Sequence, residues 1–149
     1  MAHSLESGFQ QLCHEKHLAV THQRLVLYRE LMKMPDHPNP EQIFERVRVE
    51  LPSISLATVY KTLRVFLKAG IIGEVSPHHG SLRIEPDVTR HHHFICLQCR
   101  AITDLTLSEV DEAPLKSSVP SGFQIEQVSM EVRGLCGRCA ASHLAAPGV

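Results

Sequence analysis

Residues 55–70 read SLATVYKTLRVFLKAG, and this stretch decides the fold of the N-terminal half. Ser55 or Ser53 can cap the start of a helix here, and Gly70 can end it. The apolar side chains recur at helical spacing and form one stripe, made of Leu56, Val59, Leu63, Phe66 and Leu67. The stretch therefore predicts a helix with one buried side.

The chain around this helix predicts a winged helix. Three earlier helices are indicated by Leu5, Phe9 and Leu12 at helical spacing, by a cap at Thr21, and by Asn39 followed by Pro40. After Gly70, IIGEVS (71–76) and SLRIE (81–85) flank a PHHG turn and are typical of a β-hairpin. In such a fold the fourth helix enters the major groove of DNA and the hairpin is the wing.

The fourth helix also carries a basic face, formed by Lys61, Arg64 and Lys68 with Thr58 and Tyr60 nearby. A basic face alone is more often a solvated surface than a DNA-binding one. Residues 1–70 carry nine Lys/Arg against seven Asp/Glu, whereas residues 71–149 carry six against nine. Together with the helix order and the hairpin, this asymmetry favours a DNA-binding first half.

The second half predicts a small α/β domain, so the expected class is α+β. We expect a winged-helix domain at 1–84, a linker at 85–90 and a second domain at 91–149. HHHFIC and AITDLTL predict a hairpin, residues 108–119 a short helix, and FQIEQVSMEVRGLC (123–136) one long alternating strand. This domain has little core, so a metal ion and dimerisation would both stabilise it.

Four of the five cysteines form two C-x-x-C pairs, Cys96/Cys99 and Cys136/Cys139. Four thiolates are the usual ligand set of a tetrahedral structural zinc site. A redox-active C-x-x-C needs only one such motif and a βαβ context, which is missing here. The fifth, Cys13, falls within the first helix and is expected to be a core thiol.

His91 and His93 are two residues apart in a predicted strand, so both imidazoles can face one metal ion while His92 points away. The alternative is an exposed histidine run without function. His37, Glu85 and Asp104 are further candidates, and imidazoles with carboxylates suit Fe(II), Mn(II) or Zn(II).

Other function classes are disfavoured. No apolar run is long enough to span a bilayer and no secretory signal is evident, so we expect a cytoplasmic protein without membrane contact. A metal hydrolase is disfavoured because no nucleophile–base pair is evident. Metal storage through the histidines remains an alternative to DNA binding.

The segments SLATVYKTLRVFLKAGII, HHHFICLQC and GLCGRC together resemble the ferric uptake regulator (Fur) family over roughly residues 5–140. The resemblance implies a winged helix, a C-terminal dimerisation domain, and a homodimer that represses by binding a palindromic operator when loaded with metal. It is not an enzyme on this reading. Matched residue by residue, the structural zinc ligands would be Cys96, Cys99, Cys136 and Cys139.

The resemblance also implies a regulatory Fe²⁺ or Mn²⁺ site, formed by His37, Glu85, His91, His93 and Asp104. On the fourth helix, the expected DNA contacts are Thr58, Tyr60, Lys61 and Arg64. A further site of iron-sensing members would need histidines where this chain has Arg90 and Val128.

The chain therefore looks most like the peroxide-sensing (PerR) branch, in which bound Fe(II) reacts with peroxide and oxidises its own ligands, here His37 and His91. That branch usually has Asp where this chain has Glu85. Iron or manganese sensing without a peroxide response is the alternative. Zinc sensing is less favoured, because such members tend to place a cysteine in the regulatory site.

Overall fold

The computed structural model describes residues 2–34, 37–75, 82–89, 91–105, 117–126 and 128–144. The chain forms two compact units, Met1–Val88 and Thr89–Val149. Glu85, assigned from the sequence to a linker, is the last residue of a strand of the first unit. No helix in the described ranges is both long and apolar enough to cross a membrane.

The first unit contains four helices followed by a two-stranded antiparallel sheet. The helices are α1 (Ala2–Glu15), α2 (His22–Leu31), α3 (Pro40–Glu50) and α4 (Leu56–Ala69). The strands are β1 (Gly73–Val75) and β2 (Arg83–Glu85), and the turn predicted between them lies outside the described residues. This order of elements is the predicted winged helix.

The predicted caps define where these helices begin. The Thr21 hydroxyl accepts from the Arg24 amide, and the Ser55 hydroxyl accepts from the Thr58 amide. Asn39 forms a reciprocal capping box with Gln42, with a proline in the first turn of α3. Each such cap contributes about 1 kcal/mol by satisfying backbone N–H groups that the helix leaves unpaired.

The core of the first unit lies between the apolar stripes of its helices and the hairpin. Fully buried members include Phe9 of α1, Leu27 of α2, Val47 of α3 and Phe66 of α4, with Ile84 of β2 packed against them. Burying side chains of this size stabilises a fold by about 1.5–3 kcal/mol each. The core therefore holds α4 with its apolar face inward, which leaves its basic face in solvent.

The second unit has a three-stranded sheet in the order β4-β3-β5, followed by a helix. The elements are β3 (His92–Cys96), β4 (Ile102–Leu105), β5 (Glu131–Gly134) and α5 (Gly137–Leu144). Strand β3 pairs antiparallel with β4 and parallel with β5. Among the described residues of this unit, the buried apolar side chains are few: Ile95, Cys96 and Cys139.

The long strand expected over residues 123–136 was wrong in its extent, because regular pairing covers only β5. The register places His93 opposite Glu131, so residues before Met130 run past the start of β3. There the His92 side chain accepts the Met130 amide through Nδ1 at 3.1 Å, in place of a backbone partner. The short helix predicted at 108–119 falls mostly outside the described residues, and only Ser117 and Ser118 are seen as helical.

Candidate metal centres and a basic helix

The four cysteines of the second unit meet at one point. Cys96 ends β3, Cys99 follows in the next turn, Cys136 precedes α5 and Cys139 lies within α5. Their sulfur atoms all lie within 4.8 Å of one another, and the Cys99 and Cys136 Sγ atoms are 3.8 Å apart. A tetrahedral ion with Zn–S bonds of about 2.3 Å has S···S edges of about 3.8 Å, so the set fits zinc.

Hydrogen bonds from nearby backbone N–H groups lower the pKa of one of these thiols, whereas burial raises the pKa of another. The pKa of Cys96 is lowered to about 6, first by the backbone N–H of Cys136 and then by that of Cys99. The Cys136 amide lies 3.4 Å from the Cys96 sulfur. Burial raises the pKa of Cys139 to about 12. Cys96 therefore ionises readily to the thiolate, whereas the thiolate of Cys139 needs a bound cation to stabilise it.

In the first unit, His37 and Glu85 form a buried pair. His37 Nε2 lies 2.6 Å from Glu85 Oε2, and the two residues are only 5% and 7% exposed. The second carboxylate oxygen, Oε1, accepts the Asp87 amide at 2.8 Å. Two ligand atoms that bind one ion at about 2.1 Å, at a right angle to each other, lie about 3 Å apart. A metal ion could therefore replace the proton between His37 and Glu85 after a small shift of the two side chains.

Strand β2 holds the loop that carries His37. The Ile84 amide donates to the Pro38 carbonyl at 2.9 Å, and the Arg83 guanidinium donates to the His37 carbonyl at 3.3 Å. Both contacts bind the backbone next to the imidazole. The position of His37 is therefore set by β2, the same strand that supplies Glu85.

In the second unit, His91, His93 and Asp104 form a cluster. Asp104 lies directly opposite His93 in the β3–β4 ladder. Its Oδ1 atom is 3.7 Å from Nε2 of His93 and 3.7 Å from Nε2 of His91. The two imidazole rings meet edge to face, with centroids 4.6 Å apart. Three donor atoms thus converge, from β4, from β3 and from the residue before β3. The spacing of the histidines predicted only that His91 and His93 share a face.

Hydrogen bonds assign the tautomers of two histidines. His91 Nδ1 lies 2.8 Å from the Thr89 carbonyl oxygen. Because a carbonyl can only accept, Nδ1 carries the proton and the lone pair of neutral His91 is on Nε2, which faces Asp104. His92 is turned the other way, with Nδ1 accepting the Met130 amide, and is not available to this cluster.

Helix α4 presents its basic face to solvent, with Lys61, Arg64 and Lys68 all exposed. Thr58 is partly engaged in the helix cap, since its hydroxyl lies 2.9 Å from that of Ser55. The Tyr60 hydroxyl donates to Glu41 Oε1 at 2.8 Å. Cys13 is fully buried in the core, as expected, and burial raises its thiol pKa.

The sequence model of the "Ferric uptake regulator family" matches residues 15–133. This chain belongs to the ferric uptake regulator family. Fur-family proteins are metal-responsive, DNA-binding repressors rather than enzymes, and the observed α+β fold with its four-cysteine cluster agrees with that membership.

Several members of the Fur family are similar to this chain in sequence or structure. The peroxide-responsive repressor PerR of Staphylococcus aureus (strain Mu50 / ATCC 700699) is 31% identical over 137 residues, which cover 92% of each chain. The structure of Fur from Francisella tularensis with iron matches with a TM-score of 0.70 at 25% identity, over 83% of this chain and 95% of that one. The Helicobacter pylori Fur structure, with three functional metal-binding sites, matches with a TM-score of 0.76 over 94% of each chain, and at 20% identity this likeness concerns the fold.

Several supporting residues of this Fur-family chain were missed from the sequence. Arg83, Asp87 and Thr89 support candidate ligands mainly through backbone contacts, which leave no pattern in side-chain type. Glu41 was missed as a partner of Tyr60 because a carboxylate in the first turn of a helix is common for electrostatic reasons alone. Only the turn geometry and the packing of α3 on α4 bring these groups together.

Proposed function

We propose that this chain is a cytoplasmic, metal-dependent transcriptional repressor that binds a palindromic operator as a homodimer. The observation that carries the proposal is the buried His37–Glu85 pair, built into the same unit as the exposed basic face of α4. A metal ion bound there acts on the unit that would contact DNA. The cysteine cluster would hold structural Zn²⁺.

The regulatory ion, Fe²⁺ or Mn²⁺, would be bound by His37 and Glu85 of the first unit together with His91, His93 and Asp104 of the second. Each unit alone offers an incomplete set, of two and three donors respectively. Imidazole nitrogens and carboxylate oxygens suit both ions, whereas calcium would require oxygen ligands alone. An ion that needs both sets favours one orientation of the two units and so shifts the population toward a DNA-binding form.

On DNA, α4 would enter the major groove, with Thr58, Tyr60, Lys61 and Arg64 as its contacts. A twofold-symmetric dimer would place two such helices at half-sites about one helical turn apart, which accounts for a palindromic operator. Lys61 and Arg64 are exposed and can bind phosphates or guanine bases.

For the signal, we favour hydrogen peroxide. The 31% identical relative, which is named a peroxide-responsive repressor, supports this choice. On this proposal His37 and His91 would be the oxidised ligands. Iron held by these residues would supply the activation of peroxide. The net change would add one oxygen atom of peroxide to an imidazole carbon of His37 or His91, with water as the other product. Iron or manganese sensing without peroxide chemistry is the second candidate, favoured by the longer carboxylate of Glu85.

The test is operator binding by protein purified anaerobically and loaded with Fe(II) or Mn(II), before and after peroxide. Peroxide sensing predicts that the Fe(II) form alone loses operator affinity and that peptides containing His37 or His91 gain the mass of one oxygen atom. If the Fe(II) form keeps its affinity and no oxygen is added, peroxide sensing is excluded and metal sensing is tested by comparing the two ions.

The DNA-binding part has its own control. Replacing Lys61 and Arg64 with alanine should abolish operator binding and leave Mn(II) affinity unchanged. Arg48→Ala, an exposed change on α3, should alter neither. Full operator binding by the double variant would contradict the assignment of α4. Mn(II) binding by a wild type that binds no operator would favour the metal-storage alternative.

A further inference from the structure

Tyr60 projects from α4, the helix proposed to read DNA, yet its hydroxyl hydrogen is already bound. The phenol donates to Glu41 Oε1 at 2.8 Å, and Glu41 lies in the first turn of α3. A phenol has one hydrogen to donate and lone pairs that accept. With its hydrogen on Glu41, the Tyr60 oxygen can offer only an acceptor to a further partner.

The charges around the phenol keep this arrangement in place. The hydrogen bond to Glu41 is the main reason that the pKa of Tyr60 is raised, and Arg64, four residues along the same helix, lowers it. Tyr60 therefore stays protonated at neutral pH. The Glu41 carboxylate accepts the hydroxyl hydrogen, and the Arg64 guanidinium acts on the phenol only as a weaker, opposing charge.

Glu41 is also held in position by its own segment. The Asn39–Gln42 capping box fixes the start of α3 on both sides of Glu41. Just upstream, Pro38 is bound to β2 through the Ile84 amide. The backbone of Glu41 is thus fixed, so less conformational entropy is lost when its carboxylate binds the Tyr60 hydroxyl.

A carboxylate on a DNA-facing surface would weaken binding to phosphates, since like charges repel. An exposed hydrogen bond contributes little stability in return. We therefore expect the Glu41–Tyr60 hydrogen bond to contribute to the recognition of base sequence. Phosphate oxygens need a donor, whereas the exocyclic amino groups of adenine and cytosine in the major groove need an acceptor.

We propose that Glu41 is a specificity-determining residue, which takes the Tyr60 hydroxyl hydrogen and so directs the phenol oxygen to an adenine or cytosine amino group instead of a phosphate. This inference rests on the proposed DNA binding by α4. Glu41 acts through Tyr60 and is a positioning residue, so it need not touch DNA itself.

The experiment is selection of operator sequences from a random duplex library by the Mn(II)-loaded full-length dimer. Wild type should prefer adenine or cytosine at one position in each half-site. Glu41→Ala should lose that preference by about tenfold and bind non-operator DNA more tightly. Glu41→Gln keeps an acceptor for the phenol and should keep the preference.

Two further measurements separate this role from a general charge effect. In the Tyr60→Phe background, Glu41→Ala should cause no further loss of preference at that position. Ultraviolet titration of the two tyrosines should show the Tyr60 pKa falling in Glu41→Ala, with or without DNA. The titration reports the contact itself even if wild type binds no DNA, an outcome that would overturn the proposed function instead.

The inference is overturned if Glu41→Ala raises affinity for operator and non-operator DNA equally while the selected sequence stays the same. It is also overturned if the tyrosine titration is unchanged in Glu41→Ala. A loss of preference in Glu41→Gln equal to that in Glu41→Ala would show that charge, and not hydrogen acceptance, is what matters.

Discussion

Gly73 lies directly opposite Glu85 in the β1–β2 ladder, and a Cβ atom at Gly73 would lie 3.2 Å from the Glu85 Cβ and 3.3 Å from its Cγ. These distances are tighter than ordinary van der Waals contact. Because Gly73 has no Cβ atom, it leaves space for the Cβ and Cγ atoms of Glu85, whose carboxylate contacts His37. Gly73 is a supporting residue of the candidate metal site although it carries no ligand atom.

Gly73→Ala should weaken Mn(II) binding at the regulatory site by about tenfold, in the range typical of residues that orient metal ligands. The added methyl group displaces the Glu85 side chain from its position between His37 and the Asp87 amide. The measurement is Mn(II) titration followed by electron paramagnetic resonance. Gly8→Ala is the control, because a Cβ there meets nothing within 4 Å; equal Mn(II) affinity in both variants would contradict the role of Gly73.

Glu85→Asp should also weaken Mn(II) binding in this chain, by about tenfold. The shorter carboxylate cannot reach His37 Nε2 and the Asp87 amide together without a movement of β2. Glu85→Gln keeps the length and removes the charge, so a larger loss in Gln than in Asp would show that charge outweighs reach. Affinity in Glu85→Asp equal to or above wild type would mean that the site adapts to the carboxylate usual in the PerR branch.

Much of the first unit could be predicted because its signals are local. Thr21, Asn39 and Ser55 cap the helices as expected from residue type and spacing, and Gly70 ends α4 in the left-handed conformation with φ of 67°. These features depend on a few neighbouring residues. The apolar stripe of α4 also predicts which face of that helix packs against the core.

The second unit was predicted less well because its geometry depends on strand pairing. Alternation over residues 123–136 was read as one long strand, but a strand extends only where a neighbour offers backbone groups, and β3 begins at His92. The contact between Glu41 and Tyr60 was missed for a similar reason, since 19 residues separate the two in sequence. The periodicity of a segment shows which of its faces is buried, but it does not show which segment it packs against.

His17→Gly should stabilise the first unit by about 0.5–1 kcal/mol. His17 has φ of 53°, in the left-handed region, where it ends α1 while the Leu18 amide donates to the Cys13 carbonyl at 2.8 Å. Glycine adopts this conformation without the steric cost of a Cβ atom. Urea unfolding measures the change, and Lys16→Gly is the matched control; it should give no gain, because among described non-glycine residues only His17 and Arg100 have positive φ.

Cys99→Ser should release the structural metal and loosen the second unit while leaving the first unit folded. The described core of the second unit is small, and a zinc ion joined to Cys96 and Cys99 on one side and Cys136 and Cys139 on the other would connect β3 to α5. Zinc analysis after dialysis against a chelator should find about one ion per chain in wild type and little in the variant. Amide hydrogen exchange should then accelerate in residues 91–105 and 128–144.

The matched control for that change is Cys13→Ala, which removes the one cysteine outside the cluster. Because Cys13 is buried in the core of the first unit, its truncation leaves a small cavity and should lower the stability of that unit by about 1 kcal/mol. Zinc content should not change. Zinc lost equally from Cys13→Ala, or retained in Cys99→Ser with slow exchange in the second unit, would show that the four-cysteine cluster is not what holds that unit together.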